Sequence, residues 1–137
     1  MHHGRTAPSP RPRSDDAAVM THVLTAKTDF VTGLIWAKVV GGAIKPDEIH
    51  ALSAWVYIPS DFRGTSVGVV FDAFPSLKIQ NASLTIRDHW QQVWVSSRFS
   101  DKAKTAHPGL VVVGEPGDIV FSTCWKLEAG VVPTPEP

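Results

Sequence analysis

SLTIRDHWQQVWVSSRF, residues 83–99, alternates from Gln92 onward: Val93, Val95, Ser97 and Phe99 point one way, and Trp94, Ser96 and Arg98 the other. Successive side chains of a strand point to opposite faces, so the run predicts a strand in a sheet with two unlike faces. A helix does not fit it, because β-branched and aromatic residues dominate and no 3.6-residue apolar stripe is present. Arg87-Asp88-His89 reads as a polar turn, and Trp90 opens the strand.

Outward from this strand, most of the chain reads as further strands. His50–Ile58 is strongly patterned, with Leu52, Ala54, Val56 and Ile58 on one face and Ser53, Trp55 and Tyr57 on the other. Pro59 ends it, since proline cannot donate to a ladder. Ser66–Phe74, Gly109–Val113 and Ile119–Leu127 are further strands, Leu77–Ile79 and Ser83–Ile86 short ones, Thr21–Lys27 an edge strand and Phe30–Val40 a longer one. Glu115-Pro116-Gly117-Asp118 is a tight turn, with proline and glycine in turn-favoured places. The expected fold is all-β: a jelly-roll β-sandwich of about eight or nine antiparallel strands. It spans residues 21–130, after an extended Pro/Arg-containing arm (1–20) and before a Pro-rich tail (131–137).

Composition narrows the function. At 137 residues and 43% hydrophobic, the chain makes one domain with a core; a sandwich needs ~100 residues. Lys+Arg and Asp+Glu balance at 13 each, which argues against a nucleic-acid binder that neutralises phosphates and against a basic membrane-surface domain. No apolar run approaches the ~20 residues of a membrane span, and the N-terminus lacks the apolar core of a signal peptide. One cysteine, Cys124, excludes an internal disulfide and a cysteine zinc cluster; in IVFSTCW a buried, inert thiol is expected. In the arm, Pro8, Pro10 and Pro12 alternate with small and basic residues, and alone it buries too little to offset its ordering entropy.

Five tryptophans are the unusual feature. A sugar ring has a C–H-rich face that stacks on an aromatic plane, with polar groups nearby to orient it. If the aliphatic faces line the core, Trp55, Tyr57, Trp94 and Arg98 lie outside together as a glycan- or partner-binding face. The alternative is that a loop, the arm or a neighbouring subunit covers these rings. Trp36, Trp90 and Trp125 are expected in the core. The six histidines, His2, His3, His22, His50, His89 and His107, are scattered without metal-ligand spacing. Among the carboxylates, Asp72 lies inside a patterned strand while Asp88 and Glu128 sit at strand ends, and no facing pair suited to glycoside hydrolysis is evident. Neither a catalytic residue nor a metal or other cofactor is therefore expected.

Three phrases carry a resemblance. Leu52-Ser53-Ala54-Trp55-Val56-Tyr57-Ile58, then Leu84-Thr85 with Trp90-Gln91-Gln92-Val93, then Lys126-Leu127-Glu128-Ala129-Gly130 with Val132-Pro133-Thr134-Pro135 together resemble carbohydrate-binding-module-like jelly rolls. Such domains occur in bacteriophage tail and capsid accessory proteins and in secreted glycan-active enzymes. Members often carry an acidic residue just before the closing phrase, in some near a structural calcium; Ser122–Trp125 holds no carboxylate, which calcium would want. The arginine usual after the second phrase's Trp-Gln is Gln92 here. The resemblance implies a non-catalytic virion accessory protein, for capsid decoration or on the tail. The arm would join it to virion proteins or to itself as a homo-oligomer, and it would contact host-surface glycans but not nucleic acid or the membrane interior. The alternative is an extracellular carbohydrate-binding module from a polysaccharide-degrading enzyme.

Overall fold

The computed structural model of the protein describes residues 19–25, 48–73, 76–98, 107–130 and 132–133. Within them lie seven strands and no helix: β1 (Met20–Val23), β2 (Ile49–Tyr57), β3 (Ser66–Ala73), β4 (Ser76–Asn81), β5 (Trp90–Arg98), β6 (His107–Val113) and β7 (Ile119–Ala129). They form two antiparallel sheets, a four-stranded one in the order β1-β7-β2-β5 and a three-stranded one in the order β4-β3-β6. This is the β-sandwich that the alternation predicts. The arm, Phe30–Val40 with Trp36, and all of the tail but Val132 and Pro133 lie outside the described residues.

The core follows from the pleat. Leu52, Ala54 and Val56 of β2, and Ile58 just past it, turn inward beside Val93 and Val95 of β5. Val67, Val69 and Phe71 of β3 and Leu110 and Val112 of β6 meet them from the other sheet. Full burial of such a side chain contributes roughly 1.5–3 kcal/mol. Trp125 packs against this core, as expected.

Two local expectations change. Ser83–Ile86 is a turn rather than a strand. Its hydroxyls bond locally, Ser83 Oγ to Thr85 Oγ1 at 2.9 Å, which competes with a ladder. Arg87 then ties the turn down: Nε donates to the Leu84 carbonyl at 2.6 Å, and Nη1 to the carbonyls of Pro59 at 3.1 Å and Phe62 at 2.9 Å. Cys124 is half-buried rather than buried. Thr123 pairs with Trp55 and Lys126 with Ser53, so β7 spends one more residue than β2 across this interval. Cys124 sits in that bulge at φ 55°, where a residue leaves the regular ladder.

A second knot lies at the same end of the sandwich. Asp118 N–H donates to the Glu115 carbonyl at 3.0 Å and Gly117 has φ 92°, as a turn with proline second and glycine third requires. The buried Asp118 carboxylate accepts from Arg63 N at 3.1 Å, Arg63 Nε at 3.2 Å and Glu115 N at 2.9 Å. Leu24 N–H donates to the Asp118 carbonyl at 2.9 Å. The end of β1, the β2–β3 loop and the β6–β7 turn are thereby held as one unit.

Candidate functional site

The outer face of the four-stranded sheet carries the aromatic residues. On β2 it presents Tyr57, Trp55 and Ser53; on β5, their register partners Trp90, Gln92 and Trp94, followed by Ser96 and Arg98. All four residues expected to form a binding face lie on it. Their exposure differs with strand order. Among the described residues β5 is an edge strand, and Trp94 (39% exposed) and Arg98 are open to solvent. β2 is flanked on both sides by β5 and β7, so Trp55 and Tyr57 are half-buried. The Trp55 indole N–H is buried without a hydrogen-bond partner among the described residues, as is the Ser53 hydroxyl opposite Trp94.

Trp90 departs from its expected core position. It shares the outer face with Tyr57 and meets it edge-on, with ring centroids 5.4 Å apart at 61°. Phe121 of β7 contacts Tyr57 on the other side at 5.8 Å and 78°. Tyr57 is thus a packed ring rather than an open platform. Burial, with the Asp88 carboxylate adding to it, raises its phenol above the ordinary value.

Trp94 also borders a cleft of about 290 Å³, lined by Gln80 and Asn81 of β4 and Gln91, Gln92 and Val93 of β5. Here the edge strands of the two sheets come together. Four carboxamides and one indole converge, and among the described residues no ionisable side chain lines the cleft. None of the four carboxamides was a candidate from sequence, although Gln80-Asn81 and Gln91-Gln92 are visible as pairs. Only the approach of the two sheets brings those pairs together.

Other reactive groups are engaged structurally. His22 Nε2 lies 2.8 Å from Ser122 Oγ, but both residues are buried, His22 at 2% and Ser122 at 0%, so the pair has no access to a substrate. Asp88 accepts from Ser60 N at 2.9 Å, and Glu128 pairs with Lys126 at 3.7 Å. No group of three metal-ligating side chains occurs among the described residues.

No protein-family model matches the sequence, and no curated protein does. Among solved structures the fold is similar to the C-terminal domain of EclA, a sugar-binding protein: TM-score 0.57 at 8% identity, over 84% of this chain and 80% of that one. A weaker likeness, TM-score 0.47 at 6% identity, is to the CBM22-1–GH10 modules of Clostridium thermocellum endo-1,4-β-D-xylanase 10B in complex with xylohexaose. It covers 86% of this chain and 27% of that one. The chain therefore has a β-sandwich of the kind seen in a sugar-binding domain.

Proposed function

We propose that this protein is a non-catalytic glycan-binding module that stacks a sugar ring on Trp94. One observation carries the reading: a tryptophan 39% exposed on an edge strand, beside a cleft lined with carboxamides. A flat ring with polar groups at its border is what sugar recognition needs. The fold's likeness to a sugar-binding protein supports it. Trp55 stands diagonally across the β2–β5 pair from Trp94, and Arg98 extends the same face.

The test is affinity electrophoresis through gels containing soluble polysaccharides. Trp94→Ala is expected to weaken binding about tenfold or more, the scale of ~1.4 kcal/mol, with Trp94→Phe in between. Because Trp94 projects from an edge strand, the urea midpoint of the variant should stay near that of the parent. An unchanged affinity would overturn the assignment.

The setting we propose is a virion, on which the module acts as a capsid- or tail-associated accessory protein. The support is the alternating Pro8, Pro10 and Pro12 of the arm, with Arg5, Arg11 and Arg13, a composition suited to wrapping a partner and ordering on contact. Light scattering should give an oligomer for the full chain and a monomer for a chain starting at Met20. Two monomers would favour an extracellular module of a glycan-active enzyme.

A further inference from the structure

The geometry points to the β4–β5 cleft as a subsite for a single unit of an uncharged glycan, selective against acidic sugars. This rests on the glycan reading above and names the substrate class of that site.

Size comes first. At about 290 Å³ the cleft stands at the small end of small-molecule sites, ~300–1,000 Å³, and suits one pyranose ring rather than a length of chain. Chemistry follows from the lining. A carboxamide offers two donors and an acceptor, which matches a hydroxyl that both donates and accepts. Asn81 carries one such group. It lies across Gly68 of β3, where a Cβ would come within 2.7 Å of Asn81 Oδ1; the missing side chain leaves it room. Among the described residues Gln80 makes one long 3.4 Å contact, from Nε2 to the Asn81 carbonyl, which leaves its oxygen for a ligand.

Gln91 has a different part. Its Oε1 accepts from Ser83 N at 2.9 Å and its Nε2 donates to the Ser83 carbonyl at 2.9 Å. This closed pair of bonds locks the Ser83–Arg87 turn against the start of β5. Gln91 is thus a positioning residue that holds one wall of the cleft. Trp94, at the border, offers a plane for the C–H face of the ring.

Selectivity follows from what the lining lacks. Among the described residues no cation lines the cleft, so a uronate or sulfate placed here would exchange part of its hydration for no countercharge, which is unfavourable. Lys78 is on β4, two residues from Gln80, but does not line the cleft.

The experiment uses the full chain in two panels of gels. One holds neutral polysaccharides (arabinoxylan, galactomannan, mixed-linkage β-glucan) and the other acidic ones (polygalacturonate, hyaluronate, chondroitin sulfate). Retardation by at least one neutral polymer and by no acidic polymer is expected. The double variant Gln80→Ala/Asn81→Ala, altered at two exposed positions, should lose about tenfold in affinity with an unchanged urea midpoint. Retardation by the acidic panel alone would overturn this inference and leave the glycan reading standing. So would a double variant that binds as well as the parent when Trp94→Ala does not, since the sugar would then sit elsewhere on the outer face. No retardation of the parent by either panel would overturn the glycan reading and this inference with it.

Discussion

Asp118→Ala is expected to lower the unfolding free energy by about 2–4 kcal/mol. The ion pair itself contributes little: the Arg63 side chain is 59% exposed and that of Asp118 2%, so the cation rehydrates when its partner is gone. The loss comes from the backbone. Arg63 N and Glu115 N both donate to this carboxylate, and a donor left without an acceptor in a part-buried site costs about 1–3 kcal/mol. Asp118→Asn should fall between, because its oxygen can still serve Arg63 while its NH₂ group faces the Glu115 N–H. Urea titration orders the three proteins. Equal midpoints for parent and alanine variant would show that the knot does not stabilise the fold. The knot and the Arg87 clamp share the β2–β3 loop, so a loosened Asp118 variant should also bind glycan less well.

Acidification should destabilise the protein through His22. The ring is buried on the inner face of β1: Nε2 faces Ser122 Oγ, which also accepts from Trp125 Nε1 at 3.0 Å, and Nδ1 has no hydrogen-bond partner among the described residues. Burial lowers its pKa from 6.5 to about 4. Between these values the unfolded chain takes up a proton that the folded chain refuses. The stabilisation is therefore complete above about pH 6.5 and is lost as pH falls toward 4. At ~1.36 kcal/mol per pH unit, the loss amounts to about 3 kcal/mol. The clean readout is the difference between the parent and His22→Gln, since carboxylates titrate in both. The parent's urea midpoint should fall toward that of the variant over this window. Parallel profiles would show that His22 does not titrate with unfolding.

Much of the fold was legible because a pleated strand has a period of two. That period alone separated Leu52, Ala54 and Val56 from Ser53, Trp55 and Tyr57, and Val93 and Val95 from Trp94 and Arg98. The Glu115–Asp118 turn was equally local, since proline and glycine set their own backbone angles. Ser83–Ile86 has a strand-like composition yet forms a turn, because its hydroxyl bonds and the Arg87 clamp override that composition. Trp90, expected in the core, instead follows the same period onto the outer face with Gln92 and Trp94.

The sequence by itself determined which side of its strand each aromatic residue takes, through bond geometry that every extended chain shares. The tertiary structure decided which of those rings meet solvent, because burial depends on the neighbouring strands. An interior β2 half-buries Trp55 and Tyr57, and an edge β5 leaves Trp94 open. It also decided the cleft: Gln80-Asn81 and Gln91-Gln92 belong to different sheets, and they converge only because the packed core between those sheets brings the two edges together.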